Sequence, residues 1–360
     1  MPSPPWSQAQ VQPDHALAEG RWVKLICGAG NQDLAAIEDL CAIYALAGVH
    51  CIDVAADAAV AAAARRGIAW AAAQGRSGTR GAPWLMLSLS DGDDPHFRKA
   101  SFDPAACPAD CPRPCQRVCP ALAIGEQGGV ITARCYGCGR CLPACPLGLI
   151  QERQVQLSAE AVPALLQAVR PDAVELHTQA GRQAGFAERL RQLQTSGVEL
   201  QRLAVSCGLE RGAQGRRASA GASPPPAALS ARELAEELWQ RYALVRAAGY
   251  RPLWQLDGRP MSGDVGAGTA RAAVQLLERI RPWAPPGPLQ LAGGTNASTL
   301  TLLDPAGGAA GVAFGGVARS LLQPLLQEAE RLGQPLRELP ELRQRALDLA
   351  RSLVEPWLHR

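Results

Sequence analysis

The chain has 360 residues, a formal net charge of +3 and 12 cysteines. So small a charge, carried by arginines scattered rather than patterned, excludes a basic nucleic-acid-binding surface. No stretch approaches the roughly 18 consecutive apolar residues of a membrane span. Residues 1–20 have neither the basic start nor the apolar core of a secretory signal, and reduced thiols belong to non-oxidising compartments, so a cytoplasmic protein is expected.

Residues 1–20 read as a flexible tail. An apolar run at 22–27 has strand character and precedes a helix over 32–47. A second strand at 51–55 leads to an Ala-rich helix over 58–73, and a third strand lies at 84–90. A cysteine-rich module occupies 92–150. Beyond it come a helix near 159–170, a strand at 173–177, a helix near 183–195 and a strand at 200–206. A Gly/Ala/Arg/Ser/Pro segment, 208–227, reads as a flexible loop. The pattern resumes with a helix over 230–247, a strand at 252–256, a helix over 268–280 and a strand at 289–292. A short helix, a strand at 311–314, a helix over 318–332 and an amphipathic helix over 340–357 complete it. Strands alternating with helices predict a parallel sheet, and eight of them predict an α/β fold of (β/α)8-barrel type. The barrel then spans 21–91 and 151–337, with 92–150 inserted after its third strand and 338–360 as a C-terminal helix. The alternative is an open doubly wound sheet with a separate C-terminal domain beginning near 228, and the loop at 208–227 is its support.

Eight of the 12 cysteines fall in two groups of four, each closed by Cys-Pro. The second group, Cys135, Cys138, Cys141 and Cys145 followed by Pro146, has the C-x2-C-x2-C-x3-C-P spacing that wraps a cubane 4Fe–4S cluster. The first group, Cys107, Cys111, Cys115 and Cys119 followed by Pro120, has three residues in every gap. Disulfides are disfavoured by compartment. Two all-cysteine zinc sites remain the stronger alternative, although zinc ribbons pair distant C-x2-C motifs. In two-cluster ferredoxins the fourth cysteine of each run ligates the other cluster. That rule places Cys135, Cys138, Cys141 and Cys119 on one cluster and Cys107, Cys111, Cys115 and Cys145 on the other. The stretched first run leaves its cluster as either 4Fe–4S or 3Fe–4S. Gly128-Gly129 suits a hairpin joining the halves. Cys27, Cys41, Cys51 and Cys207 lie in apolar segments and read as packed small hydrophobes.

On the barrel, Gly293-Gly294 and Gly315-Gly316 follow the last two strands, where such folds bind phosphate on bare amides and a helix N-terminus. A phosphate-bearing ligand such as a flavin nucleotide, or simple tight turns, both fit them. The loop Asp257–Asp264 gathers acids, an arginine and glycines, as either a binding loop or an ordinary turn. Glu175 and His177 alternate on the fourth strand and so face one way. Of the two lysines, Lys24 is the one barrel-strand candidate for a Schiff base, a reading not favoured.

The runs CPADCPRPCQRVCPALAI and CYGCGRCLPACPLGLI, with CIDVAADAAV, DGRPMSGD, LQLAGGTN and GVAFGGVARSLL, resemble the light-dependent period (LdpA) family of the cyanobacterial circadian system. The resemblance runs from about Val23 to Leu322. It implies an iron–sulfur protein that senses redox state and alters clock period with light, in company with KaiA, CikA and SasA. It also implies one 4Fe–4S and one 3Fe–4S cluster. An oxidoreductase, passing electrons from the module to a flavin or substrate at the barrel mouth, is the rival reading.

Overall fold

Apolar four- to seven-residue runs buried on both faces pair side by side, as parallel strands under a helical shell must. The computed structural model describes residues 13–76, 81–155, 157–209, 228–259, 266–304 and 307–360. Among the described residues there are ten strands: β1 (Trp22–Gly28), β2 (Cys51–Ala55), β3 (Trp84–Ser90), β4 (Arg98–Ser101), β5 (Gln151–Gln154), β6 (Ala173–His177), β7 (Arg202–Gly208), β8 (Pro252–Asp257), β9 (Leu289–Ala292) and β10 (Gly311–Phe314). Eight of them close a parallel barrel in the order β1-β10-β9-β8-β7-β6-β3-β2. Because β1 pairs β10 from Trp22↔Gly311 to Leu25↔Phe314, the sheet has no free edge, and the open doubly wound alternative is excluded.

The inserted module leaves the barrel after β3 and returns before β6, two strands paired from Met86↔Ala173 to Ser90↔His177. Its ends are zipped by the antiparallel pair β4–β5. The Gly128-Gly129 turn, with both residues at positive φ, joins an Ile124↔Val130 bridge. Among the described residues no helix is long and apolar enough to cross a membrane.

Side chains alternate in and out along each strand, so the interior is layered. The floor is apolar: Trp22, Cys51, Met86, Ala173, Ala204 and Leu253 pack with Leu17. Two residues further along the same strands stand Lys24, Asp53, Ser88, Glu175, Ser206 and Gln255, all buried. The larger core lies between sheet and helices.

Most helix limits fall within one or two residues of the sequence reading, and three differences have a structural consequence. Residues 13–18 are a helix rather than tail, because Leu17 plugs the floor and Asp14 accepts from Arg202 and Arg251; residues 1–12 lie outside the described part. β7 runs two residues later than expected. The helix Gly316–Arg331 starts at Gly316 rather than 318, on the loop glycines themselves. Residues 210–227, most of the expected flexible loop, and Asp264 lie outside the described residues.

Candidate functional site

The module places one thiol of the first run among three of the second. Cys119, Cys135, Cys138 and Cys141 line one cavity, walled by Ile124, Val130 and Leu142. Backbone amides already aim at two of these sulfurs: Ala123 N–H donates to Cys119 Sγ (3.2 Å) and Ala100 N–H to Cys135 Sγ (3.4 Å). Gly137 is obligatory, since at φ +75° a Cβ there would lie 2.0 Å from the Arg98 carbonyl oxygen. Burial, followed by the neighbouring thiols of Cys138, Cys119 and Cys135, pushes the Cys141 thiol up to about 12. Thiols so crowded stay protonated until a cation joins them.

The other four form the second group. Burial and then Cys111 and Cys145 raise the Cys107 thiol; burial, and to a smaller extent Cys145 and Cys107, raise that of Cys115. Burial would raise Cys145 too, but the amides of Leu149, Leu147, Ile150 and Gly148 outweigh it and hold the thiol low. The structure therefore brings Cys119 to the second run and Cys145 to the first. Cys27, Cys41, Cys51 and Cys207 are buried in the barrel, away from both groups.

The charged layer of the barrel is a closed network. Lys24 Nζ lies 3.2 Å from Asp53 Oδ2 and makes a shorter contact to Glu175 Oε2. Glu175 Oε1 is 3.0 Å from His177 Nε2 and accepts from Gln255 Nε2 (2.7 Å). Gln290 donates to Gln255 (2.6 Å) and Trp22 to Gln290 (2.6 Å), tying the layer to the floor. Burial would strip the proton from Lys24, but the carboxylates of Glu175 and Asp53 outweigh it, so the amine stays an ammonium. A lysine so held is no Schiff-base nucleophile. Burial would raise Glu175, yet Lys24 and His177 hold it well below the usual carboxylate range. His177 would likewise be lowered by burial, but Glu175 lifts it to about 9.

Above this layer opens a cavity of about 110 Å³. Glu175, His177, Gln255 and Asp257 form its floor. Gly293, Gly294, Gly315 and Gly316 border it together, so the two glycine loops are neighbours, and Arg259 and Arg319 flank them. The module supplies His96 and Tyr136. The Arg319 guanidinium carbon sits 4.1 Å from the Tyr136 ring centroid, while its Nη1 donates to the Ile26 carbonyl (2.8 Å). Tyr136 also borders the cavity of the Cys119 group, so one side chain is the wall between the two. Lys99 of the module donates to Gln32 (2.6 Å) and the Thr132 carbonyl (2.7 Å), and Arg134 pairs with Asp33 (3.5 Å) and, more closely, with Glu330. Of the loop Asp257–Asp264, only 257–259 are described.

Sequence reading missed Asp53, Gln255 and Gln290 as Lys24's surroundings, and missed Arg319, His96 and Tyr136 altogether. The signal for the first group was a charge inside an apolar strand, as in CIDVA. Tyr136, between two metal-type cysteines, carried none.

Two family models match the chain: the LdpA Fe-S cluster-binding domain over 107–156 and the Light dependent period A C-terminal domain over 165–356. Over 352 residues the chain is 45% identical to "Light dependent period A" of Synechococcus elongatus, covering 96% of this chain and 93% of that one. Similar solved structures include the YdjI aldolase of Escherichia coli (8% identity, 98% and 95% of the two chains, TM-score 0.40) and tryptophan synthase subunit alpha of Legionella pneumophila (12%, 95% and 96%, 0.36). At these scores the likeness says nothing of chemistry.

Proposed function

From the premise that the chain belongs to the Light dependent period A family, we propose that it is an iron–sulfur protein that senses cellular redox state and relays it to the circadian clock. An iron–sulfur cluster-binding domain is present. In this reading Cys135, Cys138, Cys141 and Cys119 hold a 4Fe–4S cluster, and Cys107, Cys111, Cys115 and Cys145 hold a second one, 4Fe–4S or 3Fe–4S. The observation that carries it is the crossing of Cys119 into the cavity of the second run, the arrangement of two-cluster ferredoxins. Bound there, such clusters supply reversible one-electron chemistry at low potential.

The protein's own residues supply the relay. The amides of Ala100 and Ala123 aim at the sulfurs and tune their potential. Arg134 and the Arg319–Tyr136 stack join the module to barrel helices, so a change of charge at the cysteines is felt where those arginines are tied. Coulomb terms of roughly 1–4 kcal/mol at short range are enough to change a partner's affinity tenfold. The clock proteins KaiA, CikA and SasA are the proposed partners, and the cytoplasm the proposed compartment. The oxidoreductase reading is weaker, because Lys24, Asp53, Glu175 and His177 already neutralise one another.

The test has two parts. Anaerobically purified protein is expected to carry about seven or eight irons per chain with matching sulfide. Cells whose copy carries Cys138→Ala with Cys111→Ala are expected to lose the dependence of period on light intensity. A colourless zinc protein, or normal period adjustment in those cells, overturns the reading.

A further inference from the structure

The cavity at the barrel mouth shares Tyr136 and Arg319 with the proposed relay, but the relay assigns it no occupant, and its lining is built. Glycine at Gly293 is explained by packing, because a Cβ there would meet the backbone of Gly258 and Arg259 at 2.8 Å. Gly315 has no such explanation. A Cβ there would make only ordinary contacts, 3.5 Å from Ile26 Cβ and 3.6 Å from Arg319 Nη1. A side chain at Gly315 would stand over Ile26 and Arg319 at the cavity lining, by the start of the helix Gly316–Arg331. That helix is 16 residues long and has no side-chain cap. Its first-turn amides have no partners along the helix, and its dipole favours an anion.

A second observation points the same way. Arg319 is 9% exposed, borders the cavity and keeps a buried Nε without a hydrogen-bond partner. A buried guanidinium with a spare donor calls for an acceptor. Neither floor carboxylate opposes an anion outright: Glu175 is neutralised by Lys24 and His177, and Asp257 accepts from Ser206 and Gln255 while burial raises its carboxyl and favours the neutral form.

We infer that this cavity binds a small phosphate-bearing molecule, its phosphate on the Gly293-Gly294 and Gly315-Gly316 loops and its body against Tyr136. Tyr136 lies between Cys135 and Cys138 and borders the thiol cavity too. The occupant therefore sits one side chain from the Cys119 group, and its binding alters the surroundings of those sulfurs. This second half rests on the cluster reading; the binding does not.

The test is calorimetry of the iron-loaded protein with inorganic phosphate and, separately, with FMN, and EPR of the reduced protein with and without each. Val317 borders the cavity in the first turn of the helix. Val317→Asp puts a carboxylate at the anion site but suits a helix N-terminus, so the fold is kept. It is expected to weaken phosphate binding tenfold or more at unchanged iron content, while Val317→Leu retains binding. Tighter binding of FMN than of phosphate assigns a body as well as a head to the ligand. An EPR shift that disappears in Tyr136→Leu assigns the wall. No binding of either probe with iron intact, or equal binding by Val317→Asp, overturns the site. Binding without an EPR shift overturns the coupling through Tyr136. A colourless protein that still binds phosphate overturns the cluster reading alone.

Discussion

Replacing Lys24 by Met would leave Glu175 and Asp53 side by side with no cation between them. Both are buried, and Lys24 is fully so. At 3.2 Å and an effective dielectric near 20, the Lys24–Asp53 attraction is on the order of 5 kcal/mol. Desolvation of the ions offsets much of it, so the net worth of the network is small. Breaking it is not: an uncompensated buried charge costs about 3–5 kcal/mol. Anaerobic thermal and urea unfolding, compared at equal iron content, is expected to show Lys24→Met down by that amount, with Glu175→Gln in the same chain recovering more than half. The pH dependence separates charge from cavity. Burial already lifts the Asp53 carboxyl to about 6 against the pull of Lys24; without the ammonium it rises further, and Glu175 rises with it. The folded variant then binds the extra protons, and its deficit shrinks as pH falls. A deficit below about 1 kcal/mol, or one independent of pH, would refute the network as drawn.

His177 gives a second pH signature. Its folded value, lifted to about 9 from an ordinary 6.5, means that its contribution is full below about 6.5 and is lost as pH rises through 9. Stability should fall over that window by up to about 3 kcal/mol, shared with Glu175; His177→Gln should flatten the curve, and an unchanged slope would count against the pair. If the proposed ligation holds, Cys119→Ser should alter the EPR signal of the cluster assigned to Cys135, Cys138 and Cys141, and loss of the other signal alone would contradict the crossing. Gly137→Ala, forcing a Cβ to within 2.0 Å of the Arg98 oxygen, should lower iron content sharply while leaving near-UV dichroism of the barrel tryptophans in place; full iron loading would remove the steric argument.

The barrel was legible because its strands are short, mostly apolar runs punctuated by helices, as burial on both faces requires. The thiols were legible because cluster geometry dictates spacing within each run. What spacing does not carry is contact between distant segments. Lys24 stood out as a charge on an apolar strand, but its partners Asp53 and Glu175 are 29 and 151 positions away. Tyr136 and Arg319 meet across 183 positions and showed no mark of it in either segment. The six-residue helix at 13–18 owes its existence to Leu17 in the floor rather than to propensity, so the tail was drawn too long.

The seam between β1 and β10 bears on how the molecule is made. During synthesis the cysteine module leaves the ribosome while β6 to β10, five of the eight barrel strands, are still untranslated. Its ends are zipped by β4 and β5 alone, so it can receive iron as a local hairpin-like unit before any barrel exists. Arg319 and Glu330, which clasp Tyr136 and Arg134, arrive nearly last. The module and its zip are thus made before the strand that closes the barrel onto them.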